Sequence, residues 1–376
     1  MSSADGTVKG VTKIIDNGGD DLRFNLVILS DGYQDAELAI FATDSTSFTN
    51  TLKVTPPFDT LWPGINVHRV DVSSTDSGAT DPVACGGTGA TPKTYFDASF
   101  CTNGVARLLA LTSATALSVA RTQVPKMHMT FVIVNSTKYG GSGGDVAVFS
   151  RDAAAPEIGI HEMGHTAFGL ADEYESLAGC SSGEVGHDSY AGTEPAEPNV
   201  TANTARATLK WASLVDAATA LPTTSNADCA NCDTQASPVA ANVAGAFEGA
   251  RYFHCGIFRP QFQCRMRVLA NPFCAVCSQV IMAKLKPFLP TAVPAVTAMA
   301  PASGPTVGGT SVVITGSGFI GATSVGFGVT SATTMTIDSD TQITATAPGG
   351  AGIVDVTVIG PGGTSATSAA DQFTYV

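Results

Sequence analysis

Two histidines and a carboxylate stand together in Ile160-His161-Glu162-Met163-Gly164-His165. Positions four apart on an α-helix share a face, so His161 and His165 can turn ring nitrogens to one Zn²⁺. Glu162 then sits beside the first of them, within reach of a water on the metal's open position. Such equipment suits amide hydrolysis, because zinc brings the pKa of water to about 7 and a neighbouring carboxylate takes its proton. The plain alternative is a surface helix with two solvated histidines. With six histidines among 376 residues, that spacing seldom arises by chance.

The flanking residues predict how these groups are held. Pro156 suits the first turn of a helix. Ile158, Ile160, Met163, Ala167 and Phe168 predict burial around much of its circumference. Gly169 is a natural stop, since glycine takes the left-handed conformation without a Cβ clash. Beyond it Leu170-Ala171-Asp172-Glu173-Tyr174 returns two carboxylates toward the metal, and a catalytic zinc needs a third protein ligand.

Upstream, residues 22–30 read as a strand ending in the turn Asp31-Gly32-Tyr33, followed by a helix over 37–53. Residues 66–72 alternate as a second strand, 73–97 form a long Gly/Thr/Asp loop, and 105–121 predict another helix. The apolar run 129–134 is a buried central strand. Tyr139-Gly140-Gly141-Ser142-Gly143-Gly144 then turns into a short strand over 145–150. This glycine run lacks the GxxxxGK[ST] pattern, so it is not a phosphate loop. It reads either as a flexible connector or as an edge strand beside the cleft, where a substrate backbone could pair. His68 and His128 lie in strand patterns and suit hydrogen-bonded core or rim positions.

Hydrophobic residues make up 44% of the chain and charged ones 14%, which marks it as globular. A net charge of −13 argues against nucleic acid or an anionic membrane as the main partner. No run reaches the ~18 apolar residues of a membrane span. Nine cysteines suggest four bridges and one free thiol in an oxidising compartment, with Cys85–Cys101 the first pair expected. The rival is a structural zinc site from Cys229-x-x-Cys232 and Cys274-x-x-Cys277, whose separation is long for a zinc ribbon. The opening Met1-Ser2-Ser3-Ala4-Asp5-Gly6 shows no leader, yet the cysteines point to a secreted or cell-surface chain.

Near Thr291 the composition changes, after the proline-stiffened linker 287–294. Residues 294–376 hold short strands between Gly and Pro turns, clearest at 312–315, 324–327, 342–345 and 354–358, as in a β-sandwich.

His161-Glu162-Met163-Gly164-His165, the tail Gly169 to Tyr174 and the segment Asn25 to Tyr33 resemble the bacterial IgA-peptidase family of zinc metallopeptidases. Tyr139 to Gly144, Cys264-Arg265-Met266-Arg267 and Phe273-Cys274-Ala275-Val276-Cys277 belong to the same resemblance, which covers roughly residues 10–290. It implies an α/β (α+β) metzincin-like catalytic domain with a twisted mixed sheet, and Met266 as a methionine turn under the metal. One departure stands out. Metzincins place a glycine three residues after the second histidine and a ligand three residues further on. Here Phe168 and Ala171 occupy those positions, while Gly169 and Asp172 keep the glycine-to-ligand spacing one residue late.

Residues 294–376 look like an IPT/TIG domain, an immunoglobulin-like sandwich, on Pro301 to Thr310, Ile314 to Phe319 and Phe373-Thr374-Tyr375. Such domains bind proteins or glycans, or space a catalytic domain. The expectation is a secreted zinc endopeptidase acting on a protein or peptide, immunoglobulin or glycoprotein among them. His161, His165 and Asp172 are its expected ligands and Glu162 its base. Glu173 is expected to orient a ligand histidine, and Tyr174, Tyr252, His254 and Arg267 are candidates to stabilise the transition state. The alternative from another class is a surface adhesion protein with an inactive metalloprotein domain and a partner-binding TIG domain.

Overall fold

The computed structural model describes residues 5–176, 180, 187–290 and 292–376. Residues 1–4 and the linker position Thr291 lie outside them. The chain divides into two compact units, residues 1–59 with 66–284 and residues 60–65 with 285–376.

The first unit is built on a six-stranded mixed sheet in the order β1-β3-β2-β4-β6-β5. Its strands are β1 (Gly6–Ile15), β2 (Phe24–Asp31), β3 (Ile65–Ser74), β4 (Met127–Val134), β5 (Gly141–Ser142) and β6 (Ala147–Ser150). β2 runs parallel to β4, and β4 to β6, while β1 is antiparallel to β3 and β5 to β6. All of β2 is buried, and so is β4 from Met129 onward. The apolar runs of both strands follow from helices covering both faces of the sheet.

The α-helices among the described residues are α1 (Leu38–Val54), α2 (Phe58–Leu61), α3 (Ser113–Gln123), α4 (Ala155–Phe168) and α5 (Ala275–Leu285). On one face Phe48 of α1 meets Phe131 of β4 at 4.7 Å and Phe149 of β6 at 5.1 Å. α4 packs beside it, with Gly159 against Phe48 and Phe149. On the other face Ala116 and Ala120 of α3 join Val27, Leu29, Val132, Val134 and Val148 in one apolar cluster. Strand alternation assigns the two sets to opposite faces.

The helix expected over 105–121 starts only at Ser113. Residues 105–112 spend their backbone groups on neighbours instead. Ala110 exchanges both backbone bonds with Ser99, at 2.8 and 2.9 Å, and Arg107 accepts the Gly141 N–H at 3.2 Å. That pairing outweighs a local pattern that reads as helical.

The cysteine expectation also changes. Cys85–Cys101, Cys180–Cys232 and Cys229–Cys255 are disulfides, whereas Cys264, Cys274 and Cys277 are free and buried. Three bridges and three thiols thus replace four and one. Cys229 and Cys232 enter different bridges, so they cannot form a zinc site with Cys274 and Cys277. A small sheet of β7 (His187–Ser189), β8 (Phe247–Ala250) and β9 (Phe253–Arg259), in the order β7-β9-β8, follows α4 in the chain.

In the second unit residues 295–375 form two β-sheets. One sheet runs β10 (Ala295–Ala300), β12 (Ser311–Ser317), β16 (Gln342–Thr346) and β15 (Thr334–Ser339). The other runs β11 (Ser303–Gly304), β19 (Gln372–Tyr375), β17 (Gly352–Gly360), β13 (Ser324–Phe327) and β14 (Thr330–Ser331), with β18 (Gly363–Thr364) on β17. Val312, Ile314, Val325, Phe327, Ile343, Val356, Val358 and Phe373 form its core. Their period of two is what a sheet needs to bury one face.

Candidate metal centre and cleft

α4 ends at Gly169, whose φ of 63° is the left-handed turn a glycine takes at least cost. Its N–H returns to His165 O, and that of Leu170 to Gly164 O, so the chain reverses at once. Asn199, which sequence reasoning missed, then clamps the turn. It accepts the Ala171 N–H at 2.8 Å and donates to Ala171 O at 2.9 Å.

This reversal brings Asp172 back over α4. His161 Nε2 lies 3.0 Å from Asp172 Oδ1, His165 Nε2 lies 3.1 Å from it, and the two Nε2 atoms are 3.2 Å apart. The three edges are close to the about 3.3 Å expected between ligands of a tetrahedral zinc with bonds near 2.05 Å.

The tautomers follow from the outer contacts. His161 Nδ1 donates to Arg265 O at 3.0 Å and His165 Nδ1 to Leu170 O at 2.6 Å. A carbonyl can only accept, so both Nδ1 atoms carry hydrogen and each ring turns Nε2 inward. Two Nε2 atoms and a carboxylate oxygen facing one point form a group able to hold a cation. Burial opposes charge on His165, yet Asp172 prevails and raises the imidazole to about 9. Despite its own burial, the Asp172 carboxyl is held far below the ordinary carboxylate range by the two histidines.

Met266 is fully buried beneath this triangle. A Cβ at Gly164 would stand 2.5 Å from its sulfur, so a glycine between the histidines lets the methionine approach. Met266 O accepts the Glu173 N–H at 2.8 Å, which ties its segment to the turn carrying Asp172.

Glu162 is 7% exposed, with Oε2 4.0 Å from His165 Nε2. Burial raises its carboxyl above the ordinary value, with His161 and His165 opposing. Two adjoining hollows meet at Glu162, Arg107 and Tyr174. The first also touches Tyr139, His161 and Arg267; the second touches Ser142, His165, Asp172 and Tyr252. A cleft running both ways from the carboxylate suits an extended chain.

The glycine run borders this cleft because side chains would not fit. At Gly143 a Cβ would come within 2.7 Å of His165 Cβ and 3.2 Å of Glu162 Oε2. β5 is the last strand of the sheet, as the edge reading expects. It is not open there, however. The Gly141 N–H is taken by Arg107 O at 3.2 Å, and Ser142 Oγ donates to Leu109 O. Residues 107–109 therefore occupy the position at Gly141 that a substrate strand would need.

The remaining candidates separate by distance from the triangle. Tyr252 donates its hydroxyl to Asp172 Oδ2, and Tyr174 stacks on His161 with ring centroids 6.4 Å apart. Arg107 donates to the Tyr174 hydroxyl at 3.4 Å. Sequence reasoning missed Arg107, since it falls in a segment read as helix. Arg267 binds Glu175 at 2.9 Å, at one end of the first hollow. His254 instead donates its Nδ1–H to Cys229 O at 2.9 Å, with Nε2 3.6 Å from Cys232 Sγ, among the disulfides and outside both hollows. Glu173 orients neither histidine. The backbone carbonyls of Arg265 and Leu170 do that, while Glu173 Oε1 accepts from Asn199 at 2.9 Å and from Cys277 at 3.3 Å. Full burial raises its carboxyl well above the usual range.

A model of the family described as IgA Peptidase M64 matches residues 12–236 and 230–285. The chain belongs to this family of peptidases. A model of the IPT/TIG domain matches residues 294–375. No curated protein matches the chain. Among solved structures, the full extracellular region of plexin A4 is 24% identical over 23% of this chain and 9% of that one, at a TM-score of 0.21. SGBP-B from a complex xyloglucan utilization locus in Bacteroides uniformis is 22% identical over 21% of this chain and 23% of its own, at 0.19. The overlap thus spans less than a quarter of either structure's own length.

Proposed function

We propose that the chain is a secreted zinc-dependent endopeptidase with a metzincin-like site. The observation that carries this reading is the inward convergence of His161 Nε2, His165 Nε2 and Asp172 Oδ1 at 3.0–3.2 Å. Family membership supports the peptidase chemistry independently. His161, His165 and Asp172 would hold the zinc, which would supply a Lewis acid to polarise a carbonyl and acidify water. Glu162, made more basic by burial, takes one proton from the water whose oxygen joins the carbonyl carbon. It returns that proton to the amide nitrogen as the C–N bond breaks, leaving a carboxylic acid and an amine, and the acid's proton then passes to the amine to give carboxylate and ammonium. Arg107 and Tyr174, where the two hollows meet, offer donors to the negative charge that gathers on the carbonyl oxygen. Met266 serves as the apolar floor and not as a ligand.

Residues 10–290 carry catalysis in this reading, and residues 294–376 bind a protein or glycan or act as a spacer. The three disulfides favour an oxidising compartment, and the two hollows that share Glu162 favour a peptide of an extracellular protein. Immunoglobulin is one substrate of that class, suggested by the family's description. The test compares two substitutions in the full chain. Glu162→Ala should retain the metal of the histidine site and lose hydrolysis by about 10²–10⁴-fold. Asp172→Ala should lose that metal. A Glu162→Ala enzyme within tenfold of the parent rules the assignment out.

A further inference from the structure

Glu173 and the three unpaired cysteines form a second constellation that the peptidase chemistry does not use. Cys264, Cys274 and Cys277 and the Glu173 carboxylate offer ligand atoms within 4.8 Å of one another, and all four residues are buried. Cys264 Sγ lies 3.7 Å from Cys277 Sγ. Glu173 Oε1 lies 3.3 Å from Cys277 Sγ and 3.9 Å from Cys274 Sγ. A tetrahedral zinc with bonds of about 2.3 Å to sulfur and about 2.1 Å to oxygen requires roughly 3.8 Å between sulfurs and roughly 3.6 Å from oxygen to sulfur.

Two further observations point to a cation. Glu173 is 0% exposed, and its Oε2 has no hydrogen-bond partner among the described residues. Backbone N–H groups are aimed at the sulfurs, Cys274 N at Cys264 Sγ (3.3 Å) and Cys277 N at Cys274 Sγ (3.4 Å). Such donors, with Cys274-x-x-Cys277 at the start of α5, stabilise thiolates. A disulfide accounts for this cluster poorly, because any pairing of three cysteines strands one thiol beside a buried carboxylate.

We propose that Cys264, Cys274, Cys277 and Glu173 hold a second, structural zinc ion. It would join the first turn of α5 to two segments that the histidine site depends on, the turn carrying Asp172 and the segment leading into Met266. Consecutive residues of one turn then serve two metals, Asp172 the histidine site and Glu173 the cysteine site. All four positions are closed in by protein, as in structural rather than catalytic zinc sites.

Zinc counting on the intact chain, purified without chelator, tests this. The parent should hold two zinc ions, and His161→Ala/His165→Ala should keep one. Cobalt exchanged into either chain should show thiolate-to-cobalt charge-transfer absorption, which the histidine site cannot produce. The band is read in the parent too, so the test does not depend on the variant folding. Glu173→Gln should weaken cobalt retention at this site. Denatured, chelated but unreduced protein should present three thiols. One zinc in the parent and none in the double variant overturns the second site and spares the histidine site. One in both overturns the histidine site and spares this one. A single reactive thiol, revealing a fourth disulfide, or a cobalt form without the thiolate band also overturns the proposal.

Discussion

Arg107 tests how the cleft treats charge that appears only during reaction. Arg107 lines both hollows and its guanidinium reaches the hydroxyl of Tyr174, whose ring stacks on His161. Removing one such donor typically costs about 10²–10³-fold in kcat. Arg107→Ala should therefore lower kcat on a peptide by about that factor with zinc content unchanged, whereas an unaltered kcat would remove Arg107 from the chemistry. Nothing in its local sequence announced this residue, because the pairing of 105–110 with Ser99 and Gly141 is made across the fold. His161, Glu162 and His165 were legible because helical spacing alone brings them together. Asp172 was legible from its offset to Gly169. The partners of Glu173 were not, since cysteines some hundred positions later meet it only once the Met266 segment has folded under α4.

Among elements, β2 is held at its end by a single carboxylate. Asp31 Oδ1 accepts the Phe96 N–H at 2.8 Å, while Oδ2 accepts Thr94 Oγ1 at 2.8 Å and the Ala98 N–H at 3.1 Å. An asparagine amide must face some of these donors with an NH₂ group. Leaving buried donors unsatisfied costs about 1–3 kcal/mol each. Asp31→Asn should lower unfolding free energy by about 2–4 kcal/mol, read from urea titration, and a loss below ~0.5 kcal/mol would contradict this accounting. The strands β2, β3 and β4 and helices α1 and α4 were readable to within a few residues, because each carries its own apolar period or stop signal. The start of α3 was not, since a tertiary partner claimed residues that favour a helix locally. The alternating strands of the sandwich were equally plain, for the same period-two reason.

For the whole molecule, the two units each carry their own core. A chain ending after residue 290 should stay folded and hydrolyse a short peptide at nearly the parent's rate, because no residue of the candidate site lies beyond Cys277. A folded but inactive truncation would show that the sandwich contributes to the chemistry. The proposed export draws its support from the disulfides, and immunoglobulin is one member of the proposed substrate class. What unites these readings is metal-dependent hydrolysis. The most direct measurement is a protein-gel zymogram of the purified full chain, run untreated, with a zinc chelator, and after zinc is returned. Clearing that vanishes with chelator and reappears with zinc is the predicted result; clearing that persists in the metal-stripped enzyme would contradict the account.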